Sequence, residues 1–338
     1  VEMRVDFHTH IIPEDIPNFV EKYGGGRWPV LEKTCSCGAN IMVSGKNFRE
    51  VTDQVWSPQK RIEDMDKEGV DIQVLSPIPV TFSYWADPAQ AEDFSKIQND
   101  FIAETVKDHP DRFIGLGTVP MQDANTAIRE MKRCIFELGL KGIEIGTNVN
   151  GHNLDDPSFA DFFAIAEEWN VPLFVHPWET LGKERFPRHN FMYTVGMPSE
   201  TALAASSLIN GAVMEKHPNL KVCFAHGGGA FPYILPRLDQ GWNVWPNIRK
   251  IEKPPSFYAK KFYFDSLNYD PMNLQYLVDR FGHEKIVMGS DYPFLLREIP
   301  PGKVIDDTFG LTEEQKKAIL GENALAFLNI NVKEELLK

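Results

Sequence analysis

No apolar run in this sequence approaches the roughly 20 residues that span a bilayer, and no cluster of Lys and Arg forms a basic track. With 35 Lys and Arg against 48 Asp and Glu, the net charge is −13. Counterion-release binding to nucleic acid is therefore not expected. Val1 to His10 lacks the basic-then-apolar pattern of a signal peptide, so no membrane role and a cytoplasmic location are expected. Cysteine is scarce: Cys35, Cys37, Cys134 and Cys223 are too few in 338 residues for a disulfide framework and suit a reducing compartment. Cys35-Ser36-Cys37 has no second pair at zinc-ribbon spacing and reads as two loop thiols. No G-x-G-x-x-G follows an early strand pattern, and Gly24-Gly25-Gly26 lacks the strand-to-helix setting of a phosphate loop. Two open dinucleotide-binding halves are thus the weaker of two architectures.

What the chain does have is an alternation of short, β-branched apolar runs with longer amphipathic stretches, the sequence form of βα units. Eight strands are expected, at Arg4–His10, Val70–Ser76, Arg112–Val119, Gly142–Thr147, Pro172–Trp178, Lys221–His226, Phe262–Ser266 and Lys285–Asp291. Helices are expected at Asp123–Leu138, Phe159–Trp169, Ser199–His217, Pro271–Phe281 and Thr312–Phe327, with Ser199 as an N-cap and Gly139 as a C-cap. Eight such units predict one α/β domain over 1–338, a (β/α)8 TIM barrel. The stretch 11–58, with a β-like Asn40–Val51, reads as an insertion after the first strand, a lid or small subdomain over the barrel mouth. The Lys-rich end after Asn331 reads as a frayed tail.

Polar residues at strand ends carry the chemistry. His8 and His10 end the first strand two apart, so both imidazoles can reach one ion. His176 closes the fifth strand, His226 the sixth and Asp291 the eighth, where active-site groups of such barrels sit. Three imidazoles and a carboxylate suit a divalent metal, so His8, His10, His176 and Asp291 are the expected ligands. His226 is left as a general acid or base beside metal-bound water. Glu144, a carboxylate within an apolar strand, must be paired, protonated or metal-linked if buried. His109, His152, His189, His217 and His283 sit in contexts that call for no role.

This pattern resembles the amidohydrolase superfamily, whose members place His-x-His, His, His and Asp on strands one, five, six and eight. Many binuclear members carry a carboxylated lysine at the end of strand four; here Lys141 stands at its start, so the resemblance implies one metal ion, zinc by ligand type. Asp6–His10, Gly45–Arg49, Pro79–Trp85, Gly115–Met121, His176–Trp178, Gly196–Pro198, Ala225–Phe231, Gly289–Phe294 and Gly321–Ala324 are closer still to the aminocarboxymuconate-semialdehyde decarboxylase family. The resemblance implies nonoxidative loss of carbon dioxide from 2-amino-3-carboxymuconate 6-semialdehyde, a small acidic substrate of tryptophan catabolism. It also implies a homodimer, in which Arg49 and a partner-contributed Arg237 grip the substrate carboxylates and Phe294 lines the pocket. Segment 179–195 departs from the family's tryptophan-rich run, and Tyr193 takes the place of a pocket tryptophan. A related decarboxylase or hydratase, a metal-dependent hydrolase and a noncatalytic barrel are the alternatives.

Overall fold

Each of the eight apolar runs becomes a parallel strand: β1 Val5–Ile11, β2 Ile72–Pro77, β3 Phe113–Thr118, β4 Gly142–Gly146, β5 Leu173–His176, β6 Val222–Phe224, β7 Tyr263–Asp265 and β8 Ile286–Val287. The structure, a computed structural model, describes residues 2–331, so the Lys-rich tail expected after Asn331 lies outside the described residues. The strands pair in chain order. Hydrogen bonds from Phe7 N to Met288 O (2.9 Å), Asp291 N to His8 O (2.8 Å) and His10 N to Tyr292 O (2.9 Å) join the last segment back to the first. The strands thus form one barrel between Val5 and Tyr292 rather than two open halves. Strands five, six and eight are shorter than the sequence suggests, because Trp178, His226 and Asp291 already belong to the loops at the mouth.

Helices between the strands start where side chains satisfy their free N–H groups. Ser57 accepts from Lys60 N ahead of Pro58–Glu68, and Asp87 caps Pro88–Asp108. Asp123 caps Ala124–Lys132, whose π-helical extension Arg133–Glu137 gives way at Gly139 with φ +71°, the left-handed turn expected there. Thr312 and Gln315 form a reciprocal capping box at the start of the last helix. Ser199 is a correction. The helix Met197–Asn210 continues a wider turn over Met192–Gly196, so Ser199 lies inside it and its hydroxyl donates to Val195 O at 2.8 Å. That helix also ends early, at Gly211 and Ala212, before a separate turn Val213–Lys216.

Two features position the site. The starts of the strands are stoppered by the final helix: Val5, Phe7, Ile72, Val74, Leu116, Phe174 and Val287 pack with Ala324, Leu325 and Phe327. The opposite end carries the insertion, a three-stranded antiparallel sheet of Val30–Cys35, Gly38–Val43 and Lys46–Thr52. Its second turn, Ser44-Gly45, has φ of +52° and +73°, so the β-like 40–51 stretch is a hairpin. Ala39, Ile41 and Val51 of this sheet pack on Val55, Trp56, Ile12, Ile78 and Val80, with Phe48, Trp178 and Phe294 at the margin.

The stopper generates a stability prediction. Phe327 is fully buried, 5.6 Å from the Phe7 ring and 4.8 Å from the Tyr263 ring. Phe327→Ala should cost about 3–5 kcal/mol in urea unfolding, whereas truncating the exposed Phe309 should cost under about 0.5 kcal/mol.

Candidate metal centre

The pairing of β1 with β2 shifts register between Asp6 and Thr9. At this irregularity successive rings, Phe7 and His8, both reach Phe174, at 5.0 and 5.1 Å. Phe7 thereby stays in the packed floor while His8 and His10 stand above it. Their Nε2 atoms lie 3.0 Å apart and 3.3 and 3.2 Å from Asp291 Oδ1. With His176, the four residues present ligand atoms that all fall within 4.8 Å of one another. Tetrahedral zinc with nitrogen and oxygen ligands needs separations of about 3.3 Å.

The second nitrogen of each imidazole explains which face is offered. Nδ1 of His8 donates to Asp265 Oδ2 at 2.6 Å, that of His10 to Pro77 O at 3.0 Å, and that of His176 to Pro177 O at 3.0 Å. Each ring is therefore oriented by its Nδ1 contact so that Nε2 points inward. His176 Nε2 and Asp291 Oδ1 are buried without a hydrogen-bond partner, a costly state that a cation relieves. The donor set fits a divalent metal ion.

Electrostatics agree. Burial opposes charge on His8, but Asp291 and Asp265 outweigh it and raise the imidazole to about 10. Burial, with His10, His8 and His226 nearby, drives His176 well below its ordinary value. Burial also opposes ionisation of Asp291, yet His8 and His10 hold it well below the carboxylate range. The centre thus attracts positive charge but cannot carry it on all its imidazoles.

His226 stands apart from these ligands. Its Nε2 is 3.7 Å from Asp291 Oδ2, its Nδ1 has no partner, and its backbone is left-handed at φ +55°. Such strain at a non-glycine residue marks a position held by its surroundings. Asp265 accepts the N–H groups of His226 and Gly227 at 3.0 and 2.9 Å while gripping His8. Glu144 is fully buried, both its oxygens lack partners, and Oε1 is 3.8 Å from His10 Nδ1. Burial pushes its carboxyl well above the usual range.

Two supporting residues escape a reading of the sequence. Asp265 ends β7 in the same way that the ligands end their strands, and that position was the available signal. Arg61 gives no such signal, since it lies on an amphipathic helix. It is fully buried, donating to His10 O (2.7 Å), Gln54 O (3.0 Å), Gln73 Oε1 (3.0 Å) and Thr9 Oγ1 (3.0 Å), with Tyr292 4.8 Å away. Burial pulls its guanidinium down to about 10, so it stays charged at neutral pH. It braces the ligand strand against the base of the inserted sheet.

Of the expected substrate contacts, three meet at the mouth. Arg49 lies 4.1 Å from the Phe294 ring, 5.2 Å from Phe48 and 5.4 Å from Tyr193, and Phe294 in turn is 5.5 Å from His10. Arg237 is not brought to the cluster. It is exposed on the helix Phe231–Val244, its guanidinium without a hydrogen bond or ion pair among the described residues.

Residues 5–330 match the family described as Amidohydrolase. The chain is 47% identical over 331 residues to the 2-amino-3-carboxymuconate-6-semialdehyde decarboxylase of Dictyostelium discoideum, covering 97% of this chain and 92% of that one. It is 34% identical to the protein of the same name from Caenorhabditis elegans, covering 97% and 94%. The 5-carboxyvanillate decarboxylase of Novosphingobium aromaticivorans, solved with manganese, shares the fold at a TM-score of 0.81 and 24% identity, over 97% of this chain and 96% of that one. With its strand-end histidines and aspartate gathered at the mouth of a closed barrel, this chain belongs to the amidohydrolase family.

Proposed function

We propose that this chain is a metal-dependent, nonoxidative decarboxylase that converts 2-amino-3-carboxymuconate 6-semialdehyde to 2-aminomuconate 6-semialdehyde and carbon dioxide. His8, His10, His176 and Asp291 hold one divalent ion, zinc by ligand type. The protein works in the cytoplasm as a homodimer, in which Arg237 reaches the neighbouring subunit's site. The observation that carries this reading is Arg49, a guanidinium without a carboxylate partner among the described residues, set over Phe294 beside His10. A metal cluster alone serves hydrolysis equally well; a free cation facing it selects an acidic substrate.

When bound, the metal supplies Lewis acidity and a positive field for developing negative charge. The residues do the rest. Arg49 grips one carboxylate, and Phe48, Phe294 and Tyr193 exclude water around it. The carbon that loses carbon dioxide is the nucleophilic end of an enamine, and direct departure would leave an unstabilised vinyl carbanion. His226 delivers a proton to that carbon, the amino-bearing carbon becomes an iminium, and the departing group's electron pair restores the enamine. The inserted sheet closes as a lid that fixes Arg49. Tyr193, a phenol within reach of Arg49, favours a second reading, a related decarboxylase or hydratase acting on another unsaturated acid.

Metal analysis of the purified protein, paired with an assay on freshly generated semialdehyde, tests substrate and cofactor together. Carbon dioxide release with loss of the chromophore is expected; a metal-loaded protein inert to this acid but active on a simple ester or amide overturns the reading. Chelation should abolish turnover and lower the unfolding midpoint, since the metal binds only the folded chain, and adding the ion back should restore both. His226→Ala should keep stoichiometric metal yet lose about 10²–10⁴-fold in kcat. Arg49→Ala and Arg237→Ala chains, each inactive alone, should recover about a quarter of wild-type activity after subunit exchange, through one intact site per mixed dimer. No recovery despite exchange removes the shared site.

A further inference from the structure

Cys35 and Cys37 have no part in the chemistry above. They flank the turn that joins the first two strands of the inserted sheet, where Cys35 stands opposite Gly38. Both are exposed, and their Sγ atoms lie 2.9 Å apart. The turn is fixed rather than loose: Cys37 O accepts from Asp53 N at 3.0 Å. Gly38 leaves the sulfur accessible, since a Cβ there would stand 3.2 Å from Cys35 Sγ. Cys134 and Cys223 are buried and cannot compete for a reagent in solution.

We propose that Cys35 and Cys37 form a thiol–disulfide exchange site whose co-substrate is a small soluble disulfide of the glutathione type. The Cys35 thiolate attacks one sulfur of that disulfide; a mixed disulfide forms as the small S–S bond breaks, and one half leaves as a thiolate. Cys37 loses its proton to solvent and attacks the Cys35 sulfur, so that the intramolecular bond forms and the second half leaves. Two protein thiols are oxidised, one small disulfide is reduced to two thiols, and the protons lost by the cysteines balance those taken up by the leaving groups. The order follows from the turn. The Cys37 sulfhydryl 2.9 Å away, with the backbone N–H groups of Cys37 and Gly38, favours a thiolate on Cys35 and lowers its pKa, while the neighbouring Cys35 raises that of Cys37.

The test uses the full chain, reduced and then equilibrated with graded ratios of oxidised to reduced glutathione, quenched in acid, alkylated and digested with trypsin. Both cysteines fall in one fragment, Thr34–Lys46, separate from Cys134 and Cys223. The fragment should lose two hydrogens and retain no glutathione, with the metal content of the protein unchanged. Cys37→Ser should trap one glutathionyl group on Cys35, and Cys35→Ser should react at least about tenfold more slowly. A wild-type fragment that stays fully alkylated at ratios oxidising free dithiothreitol, a mixed disulfide that never resolves, or oxidation accompanied by loss of metal would each overturn the proposal.

Discussion

The register between the last strand segment and the first governs this molecule. The bond from Asp291 N to His8 O, flanked by Phe7 N to Met288 O and His10 N to Tyr292 O, closes the barrel. The same three bonds bring the Asp291 carboxylate to within 3.3 Å of two imidazoles. Fold closure and ligand assembly are therefore one event. Slipping the pairing by a single residue would turn the aspartate away from the mouth and open the ring as well. Gly289 shows how close the approach is: a Cβ there would lie 2.8 Å from His8 Cβ and 3.0 Å from Asp265 Cβ.

Around that seam the protein keeps several ionisable groups out of water, and each has a specific answer to the cost. Asp265 satisfies its charge with His8 and with the N–H groups of His226, Gly227 and Leu267. Asp6 takes its bonds from Ser290 and from His8 N. Glu144 has no hydrogen-bond partner, and burial raises its carboxyl well above the usual range. At the inward edge of the cluster His176 Nε2 and Asp291 Oδ1 have no hydrogen-bond partner, and the four ligand atoms lie within 4.8 Å of one another. A hydrophobic replacement of the whole set would be easier to fold, so the arrangement is explained by the ion it receives.

The barrel was legible in the sequence because its period is strong: eight β-branched runs, five of them followed by a helix pattern and the first by the insertion, admit few other topologies. The ligands were legible because each ends such a run. Ser199 misled because a helix that begins as a π-turn needs no cap at the point where its apolar periodicity starts. The 40–51 stretch reads only as β-like because the left-handed turn at Ser44-Gly45 that makes it a hairpin is short. Arg61 was invisible for a deeper reason. Its role lies in contacts to backbone carbonyls of distant segments, and no side-chain pattern encodes those.

Three arginines show how the same side chain is set to different tasks by its partners. Arg129 spends its fork on Glu92, at 2.9 and 2.7 Å, and is a solvated structural tie. Arg61 spends its donors on neutral oxygens in the interior, which fixes strands without cancelling its charge. Arg49 spends none. It is held by the faces of Phe294, Phe48 and Tyr193, which attract the cation without occupying its N–H groups. In a chain of net charge −13, a guanidinium anchored by ring faces stays available, where one anchored by a carboxylate would already be neutralised. The aromatic platform thus positions the cation near His10 while occupying none of its N–H groups, the arrangement that the proposed acidic substrate requires.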